Sequence, residues 1–363
     1  MPDRTIDEDT HEDAHEKAHE DERRNVRWST SALRDQLDPL LPGLSVEVLE
    51  RTASTNSVLL ERVRAAGGRT RNDADAPALV RLSVESAAFG RLAPPVRPCL
   101  LVAEAQTAGR GRLGRAWHSA AGASLTFSLA LALRADDWSG LSLAVGVAVA
   151  DALDPRAAPE PADTDVPGQA GRDSSCRARI GLKWPNDLWL MDGAGAGVGR
   201  KLGGILIETV MVGAQRVAVV GIGLNVRPTV LSASRADSAD AGNASSGFAS
   251  VDELDATASA PGVLQRVALP LARALRQFEG EGFGAFCDRF AARDLLRDQP
   301  VRTTQPGVAE GVARGVSAQG ALWVQTPSGR VPVSSGEVSV RLNPGAGLPV
   351  GEALDACAAR APC

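Results

Sequence analysis

The 363-residue chain has little lysine, histidine or cysteine, and each shortage restricts the chemistry open to it. It has 36 arginines but only three lysines, Lys17, Lys183 and Lys201, so arginine serves wherever a general surface cation is needed. A lysine kept in the folded body is therefore a candidate for a position that needs a compact, mobile ammonium. Lys17 lies in an acidic N-terminal stretch, whereas the other two fall inside dense motifs. That placement favours a functional interpretation over chance.

Histidine and cysteine are too few for several common catalytic centres. Three of the four histidines, His11, His15 and His19, recur every four residues in the N-terminal stretch. That spacing suits one helical face, but we expect a solvated tail rather than a metal site. His118 alone remains for a Ser-His-Asp triad or a histidine-rich metal centre in the body. The five cysteines form no C-x-x-C pair, and their odd number indicates free thiols in a reducing compartment.

Long apolar runs and a secretory leader are also missing. The longest apolar segments, such as LAVGVAVADAL, are shorter than the ~20 residues that cross a bilayer. The N-terminus is acidic where a leader would be basic and then apolar. We therefore expect a cytoplasmic protein with no membrane span.

Net charge is spread unevenly along the chain. The formal net charge is -5, and residues 1–24 hold ten acids and four bases, which leaves the rest of the chain close to neutral. A nearly neutral body has no general nucleic-acid footprint, so any basic site must be local. Because an acidic N-terminus is repelled by phosphate backbones, we expect no DNA-binding role.

The order of elements predicts an α/β (α+β) domain with a mixed sheet and flanking helices, followed by a small β domain. In the last part of the chain, short strands are split by Gly, Ser and Pro, as in a small barrel. Three segments of biased composition predict flexible insertions. The predicted boundaries are a disordered acidic tail over 1–26, a catalytic domain over 27–296 with insertions at 67–97, 155–178 and 229–262, a small β domain over 297–344 and a tail over 345–363.

The stretch GRGRLGRAW, residues 109–117, alternates arginine with glycine and ends in tryptophan. Glycine weakens both helix and strand, so the stretch predicts a loop. Its G-x-G-x-x-G pattern does not predict a dinucleotide site, because a strand follows where that site needs a helix. GVGRKLGG is not a P-loop, because it lacks the terminal G-K-[ST]. We expect a loop that closes over an anion through charge-assisted hydrogen bonds from Arg110, Arg112 and Arg115.

Three further motifs carry candidate site residues. In KWPNDL, Asn186 and Asp187 offer hard oxygen ligands that suit Mg²⁺ with a nucleotide phosphate, and the motif equally fits a β-turn between strands. In RKLGGILIE, Lys201 opens a strand beside two glycines. In GIGLNV, a second strand carries two glycines and Asn225. Glycines inside strands often mark a close approach to the backbone, so these strands predict a site.

Taken in order, STN, AEAQTAGRGRLGRAW, KWPNDLWL, KLGGILIE, GIGLNV and GEVSVR resemble the motifs of the biotin protein ligases. The resemblance covers roughly residues 44–343. Leu113 stands where the family's loop often has another arginine, so charge there is dispensable. The resemblance implies that ATP activates biotin as biotinyl-5′-AMP with the help of Mg²⁺, and that a lysine then takes the biotin. It also implies an SH3-like fold for the small β domain.

The resemblance implies a biotin site and a set of catalytic residues. The polar ring of biotin would be recognised by Ser54, Thr55, Asn56 and Gln106. The biotin carboxylate and the adenylate phosphate would be held by the loop residues Gly109, Arg110, Gly111 and Arg112. Biotin would lie against bare backbone at Gly204 and Gly221. Lys201 matches the lysine at the carboxylate–phosphate junction, so the implied catalytic residues are Lys201, Arg112 and Arg110.

The resemblance further implies a nucleotide site and a protein partner. The expected nucleotide contacts are Arg115, Trp117, Lys183, Asn186, Asn225 and, from the small domain, Arg314. Asp187 is the candidate Mg²⁺ ligand. The expected partner is the biotin carboxyl carrier domain of an acyl-CoA carboxylase or a pyruvate carboxylase, and the ligase would be a monomer or a homodimer.

Two other functions remain open at this point. One is a lipoate or octanoate ligase or transferase of the related fold, against which the arginine-glycine loop and KWPND favour biotin. The other is a non-catalytic biotin-binding sensor, against which the lysines and Asp187 argue.

Overall fold

A computed structural model of the chain describes residues 20, 24, 26–67, 96–155, 179–191, 199–229, 247–334 and 340–342. The predicted insertions 67–97 and 155–178 fall almost wholly outside the described residues. The three N-terminal histidines and the C-terminal tail lie outside them as well.

A mixed seven-stranded sheet forms the centre of the larger domain. Its strands are β1 (Ser45–Thr52), β2 (Cys99–Gln106), β5 (Ser124–Ala132), β6 (Ile180–Lys183), β7 (Asp187–Leu190), β8 (Arg200–Val212) and β9 (Gln215–Asn225). Their order across the sheet is β1-β2-β5-β9-β8-β7-β6. The pair β1–β2 is parallel and the other pairs are antiparallel. A separate two-stranded hairpin consists of β3 (Gly109–Arg110) and β4 (Ala116–Trp117).

Within the described ranges the bounds of five α-helices are defined, and the mixed α/β domain predicted from the sequence is confirmed. They are α1 (Thr30–Leu37), α2 (Thr55–Gly67), α3 (Leu141–Leu153), α4 (Ala260–Glu281) and α5 (Cys287–Ala291). Ser259 caps the N-terminus of α4, and its Oγ accepts a hydrogen bond from the backbone N–H of Gly262 at 3.3 Å. Pro261 occupies its first turn, where a missing N–H costs nothing. No helix in the described ranges is long and apolar enough to cross a membrane.

The two faces of the sheet bury different cores. In β2, Leu100 and Val102 belong to the larger core, whereas Cys99 and Leu101 belong to the smaller one, because successive side chains of a strand point to opposite faces. The larger core packs α1, α3 and α4 against the sheet, and α2 covers the smaller core through Leu59 and its neighbours. The start of α2 therefore lies over the face that carries the smaller core.

A small antiparallel domain follows, as predicted. Its strands are β10 (Pro300–Thr303), β11 (Glu310–Val316), β12 (Leu322–Thr326), β13 (Gly329–Val333) and β14 (Val340–Leu342), in the order β13-β12-β11-β10-β14. Its buried residues continue the larger core. The indole N–H of Trp184 donates to Gly320 O at 2.9 Å. A Cβ at Gly320 would lie 2.7 Å from Gly140 Cα, so glycine is required where the domains meet.

Arg24 falls within the stretch predicted to be disordered, and the structure describes its side chain in contact with the sheet. Its side chain is only 8% exposed and lies 3.5 Å from the Glu50 carboxylate and 3.6 Å from that of Glu104. Trp28 Nε1 also donates to Glu104 at 2.9 Å. The acids that neutralise this arginine come from the sheet, so local composition does not reveal them.

The predicted insertion 229–262 is structured over its second half. Residues 230–246 lie outside the described residues, but Val251–Glu253 form a 3-10 turn and α4 begins at Ala260. Ala249, Val251 and Ala258 are buried in the larger core. Small apolar side chains fill this space, and their composition alone resembles that of a linker.

Candidate active site

The candidate site lies on the sheet face of the smaller core, where that face turns polar. Along β9 this face runs from the buried Val217 and Val219 to Gly221, Gly223 and Asn225. β5, its neighbour, changes from alanine to serine and threonine in the same direction. The apolar end of the face packs against α2, and the polar end stays available for a ligand.

The start of α2 brings the predicted biotin-recognising residues together. Gln106 Oε1 accepts from the backbone N–H of Thr55 at 2.8 Å and from its Oγ1 at 3.3 Å. Ser128 Oγ lies 2.7 Å from Thr55 Oγ1 and 2.6 Å from Asn56 Oδ1. Ser54, which precedes the helix, is buried like Thr55 and Asn56. We call Thr55, Asn56, Gln106 and Ser128 the polar floor; buried hydrogen-bond networks of this kind hold one arrangement.

Gly221 makes room for the Asn56 side chain. A Cβ at Gly221 would lie 2.2 Å from Asn56 Oδ1. Asn56 Nδ2 donates to Leu206 O at 3.1 Å and to Glu208 Oε2 at 3.0 Å. The glycine expected to leave backbone bare for biotin therefore has a second role, since it lets Asn56 lie flat against the sheet.

The arginine-glycine stretch forms a hairpin where the sequence predicts a loop. β3 and β4 pair with each other, and a 3-10 turn over Arg112–Gly114 joins them. Leu113 at the tip has a φ of 57° and is half exposed. A Cβ at Gly109 would lie 2.4 Å from Trp117 O. Glycine thus permits the close strand pairing that its low strand propensity argues against.

Two arginines of the hairpin reach opposite sides of the site. Arg110 forms an ion pair with Glu208 on β8. Arg112 Nη1 donates to Asn186 Oδ1 at 3.3 Å. The hairpin therefore spans the site from the edge of the polar floor to the turn between β6 and β7.

Trp117 packs the second hairpin strand, β4, against the sheet. Its ring packs on Gly223, where a Cβ would lie 2.4 Å from Trp117 Cε2. The indole nitrogen of Trp117 is buried without a hydrogen-bond partner among the described residues. An unpaired buried donor costs about 1–3 kcal/mol, so this N–H gains from a polar group that enters the site.

The turn between β6 and β7 lies beside the start of β8. The motifs KWPNDL and RKLGGILIE therefore meet at this point. Lys201 Nζ donates to Asp187 Oδ1 at 2.8 Å, and both side chains are largely buried. Asn186 Nδ2 donates to Ile205 O at 2.9 Å, which directs its Oδ1 toward Arg112. A Cβ at Gly204 would lie 3.7 Å from Lys201 Nζ, so this glycine leaves space beside the Lys201–Asp187 pair. The predicted β-turn is confirmed.

Positive charge is concentrated at this point. Burial lowers the pKa of the Arg112 guanidinium from its usual value; Asp187 opposes the shift and Arg115 adds to it. Lys201 and Arg112 thus lie beside the Asp187 carboxylate, and Arg115 adds a further positive charge. Such a cluster favours an anionic ligand.

A cavity of about 390 Å³ opens at the end of β9. Asn225 Nδ2 donates to the backbone of Lys201 at 3.3 Å and of Ala249 at 3.0 Å, which joins the cavity wall to the lysine strand. Among its lining residues the sequence indicated only Asn225, and six of the other nine lie in the segment taken for an insertion. The lining residues are Arg200, Asn225, Arg227, Pro228, Thr229, Phe248, Ala249, Ser250, Asp252 and Glu253.

The other three predicted nucleotide contacts differ in burial. Lys183 is buried, with Nζ 4.6 Å from the centroid of the Trp189 ring. Arg314 is exposed in the small domain, where its Nη1 donates to Asp298 at 2.6 Å. Arg115 is exposed at the end of the hairpin turn. Their nucleotide roles stay predictions.

The site supplies too few protein ligands to bind Mg²⁺ alone, but it fits an Mg²⁺ ion that is bound together with a nucleotide. The described ranges contain no group of three His, Cys, Asp or Glu residues suited to a metal. Asp187 supplies one carboxylate, and one of its oxygens contacts Lys201. In nucleotide sites Mg²⁺ commonly binds one or two carboxylates, with phosphates and waters as its other ligands. Asp187 is compatible with that pattern.

Sequence reasoning missed three polar residues of the site: Ser119, Ser128 and Glu208. Ser119 Oγ accepts from the backbone N–H of Gln106 at 2.8 Å. Glu208 lies four residues beyond Gly204 on β8 and hence on the same face. Ser128 is the strand partner of a site glycine. The period-two alternation of strands was the available signal for the last two.

The chain resembles known proteins along most of its length. Residues 88–225 match the model of the Biotin/lipoate A/B protein ligase family, and residues 298–341 match the biotin protein ligase C terminal domain. A biotin--[acetyl-CoA-carboxylase] ligase of Mycobacterium tuberculosis is 33% identical over 85% of this chain and 93% of its own. The bifunctional ligase/repressor BirA of Salmonella typhimurium is 33% identical over 245 residues, 66% of each protein.

A solved structure shares the fold. The biotin protein ligase from Aquifex aeolicus in complex with biotin and ATP superposes with a TM-score of 0.54 at 23% identity, covering 82% of this chain and 99% of that one. With the identity to the mycobacterial protein over nearly its whole length, the two family matches show that this chain belongs to the biotin protein ligase family.

Proposed function

We propose that this chain activates biotin with ATP and transfers it to a lysine of a biotin carboxyl carrier domain, in an acyl-CoA carboxylase or a pyruvate carboxylase. The observation that carries the proposal is the meeting of three motifs. Arg112 of the hairpin contacts Asn186 of the turn, and the adjacent Asp187 contacts Lys201. These cations lie next to a polar floor suited to a small polar ring.

The polar floor would bind the ureido ring of biotin. That ring has two N–H donors and a carbonyl acceptor, and hydroxyl and carboxamide side chains offer both kinds of partner. Because the floor residues already bond to one another, little ordering is needed when the ring arrives. Pre-organisation of this kind lowers the entropic cost of binding.

Adenylation would take place beside Lys201. A carboxylate oxygen of biotin attacks the α-phosphorus of ATP, the bond from that phosphorus to the bridging oxygen breaks, and pyrophosphate leaves. Negative charge gathers as the two anions approach, and the fixed charges of Lys201 and Arg112 stabilise it without reorganisation. Asp187 holds the ammonium in place before the ligands arrive. The nucleotide itself would occupy the cavity beside Asn225, and Mg²⁺ held by Asp187 would neutralise its phosphates.

The hairpin would keep the adenylate from water until the acceptor comes. The acceptor's amine nitrogen then attacks the acyl carbon, the bond to the AMP oxygen breaks, and the amine loses a proton as the amide forms. A mixed anhydride hydrolyses readily, so a cover that excludes water has a direct use. Arg110 and Arg112 anchor that cover at its two sides.

A direct test measures both half-reactions and the ligand specificity. We expect exchange of labelled pyrophosphate into ATP to depend on biotin and not on lipoate or octanoate. Incubation with ATP, Mg²⁺, biotin and a carrier domain should shift the intact mass of the carrier by one biotinyl group. Exchange supported by lipoate would favour the lipoate or octanoate function. Biotin binding without exchange or transfer would favour the sensor.

A further inference from the structure

Glu208 joins the hairpin to the polar floor. One oxygen of its carboxylate pairs with Arg110, and the other accepts from Asn56 Nδ2 at 3.0 Å. The Glu208 side chain is 28% exposed, so water screens these contacts only in part. No other described carboxylate is recorded as bonded to both elements.

The contacts of Glu208 belong to a longer circuit that returns to the hairpin. Asn56 Oδ1 accepts from Ser128, which also bonds to Thr55, and Thr55 bonds to Gln106. The backbone N–H of Gln106 then donates to Ser119, two residues beyond the hairpin. Both ends of the segment from 109 to 119 are therefore tied to the floor, one through Glu208 and one through Ser119.

Glu208 also settles the orientation of Asn56. Nδ2 faces two acceptors, Glu208 Oε2 and Leu206 O, and Oδ1 faces the Ser128 hydroxyl. Flipping the amide would bring Oδ1 toward two acceptors and Nδ2 toward Ser128. An acceptor facing an acceptor is unfavourable in a buried network, so Glu208 helps to present Asn56 in one orientation.

We propose that Glu208 is a positioning residue for biotin, holding Arg110 on the hairpin and Asn56 on the floor in the arrangement that receives the ligand. This inference rests on the proposed function. Glu208 acts through its two partners and not on the reacting atoms. It therefore governs how tightly biotin binds and how firmly the empty hairpin is held, while the chemical step at Lys201 keeps its rate.

The test compares Glu208→Gln with a matched control, Glu47→Gln. Glutamine keeps the size of the side chain but replaces one carboxylate oxygen with an NH₂ group. Either Arg110 or Asn56 Nδ2 then faces a donor instead of an acceptor. Glu47 also lies on a strand and pairs with an arginine, Arg62 at 2.7 Å, with similar exposure and away from the site. We expect Glu208→Gln to raise the biotin KM about tenfold, with kcat at saturating biotin within about twofold of wild type. Glu47→Gln should change neither.

A second readout needs no catalysis. Trypsin cleaves after arginine, and the hairpin carries three. Without ligand, trypsin should cleave the hairpin of Glu208→Gln several-fold faster than that of wild type or Glu47→Gln. Mass spectrometry follows the rate of cleavage. If Glu208→Gln unfolds, Glu208→Asp takes its place, because it keeps the charge but shortens the reach. An unchanged biotin KM with unchanged cleavage would overturn the proposal, as would a loss confined to kcat.

A double-mutant cycle isolates the pair. Arg110→Gln and Glu208→Gln should add only in part, because both remove the contact that they share, so the double variant should raise the biotin KM by less than the product of the two single effects. Fully additive effects would overturn the role of Glu208. If the wild type shows no biotin-dependent use of ATP, the proposed function fails instead, and the cleavage assay still reports on the contact.

Discussion

The polar floor and the hairpin face each other across the site, but the fold holds them differently. Thr55 and Asn56 of the floor are at most 4% exposed and bond to their neighbours within the domain. At the hairpin, Leu113 is 50% exposed and the Arg110 side chain 44% exposed. Segments with few buried contacts open at low free energy. In the proposed function the floor would therefore set recognition, the hairpin would set retention, and the chemistry would take place between them.

The largest effect is expected between the two regions, at Lys201. Lys201→Arg keeps the charge but cannot place a compact ammonium between two anions. The loss of such a contact costs about 3 kcal/mol, on the order of 100-fold in the adenylation rate. Biotin-dependent pyrophosphate release measures it, and Arg216→Lys, at the far end of the same strand pair, is the charge-conserving control. Wild-type adenylation by Lys201→Arg would refute the role.

Removing an arginine from the hairpin should separate retention from recognition. Charge-assisted hydrogen bonds contribute roughly 1.5–3 kcal/mol, which is close to the cost of ordering one or two backbone residues. Arg112→Gly should therefore still make some biotinyl-5′-AMP but release it, and the free adenylate would acylate lysines of bystander proteins. Serum albumin added to the reaction and then probed for biotin detects the leak. Clean albumin during adenylate synthesis would show that the hairpin is not the cover.

Two alanine variants on β9 should affect the polar floor and the hairpin separately. Gly221→Ala places a methyl group against Asn56, and Gly223→Ala places one against Trp117. Overpacking costs about 1–3 kcal/mol. Gly221→Ala should thus raise the biotin KM about tenfold, whereas Gly223→Ala should mainly speed tryptic cleavage of the empty hairpin. If both variants change the same quantity, the two regions do not act separately.

The smallest expected effect concerns the folded body of the larger domain and not the hairpin. Burial raises the pKa of Asp294 to about 6, and the backbone N–H of Leu296 only partly offsets it. Between about pH 4 and 6 the native carboxyl keeps a proton that the unfolded chain releases, so stability falls as pH rises through that window. We expect wild type to lose about 1–2 kcal/mol more of its unfolding free energy than Asp294→Asn from pH 4 to 7.

Denaturant unfolding at several pH values checks this, with the exposed Asp35→Asn as control. The segment around Asp294 pairs with β6, since Leu182 N donates to Arg293 O at 2.7 Å. Tryptic cleavage of the hairpin should therefore stay the same in Asp294→Asn. Parallel pH curves for wild type and Asp294→Asn would contradict the expectation.

Much of the fold was predictable because its elements depend on local pattern. The strands of the sheet and the buried helix α3 follow apolar periodicity and β-branched runs, and the turn in KWPNDL follows its Pro-Asn-Asp sequence. The site residues of the lysine motifs were predictable in part from glycine inside strands. Their meeting was not, because strand order cannot be inferred from any one motif.

What could not be predicted depends on contacts between distant parts of the chain. Arg24 is ordered by acids on the sheet, and the cavity wall near Phe248 is ordered by buried alanines. In both cases composition indicates flexibility, and tertiary contacts decide otherwise. Glu208 is an ordinary strand residue until β8 places it between the hairpin and Asn56. Side-chain partners of this kind leave no local pattern.

The contact between Trp184 and Gly320 links completion of the active site to the order of synthesis. The two residues are 136 positions apart, and Trp184 lies in the turn that carries Asn186 and leads to Asp187. At about 5–20 residues per second, the turn leaves the ribosome roughly ten seconds before its partner. A half-made chain then holds the proposed biotin-recognising residues without the contact that completes the turn. We expect stalled nascent chains that end before residue 320 to release no adenylate. Adenylate released by such chains would show that the active site does not need the contact between Trp184 and Gly320.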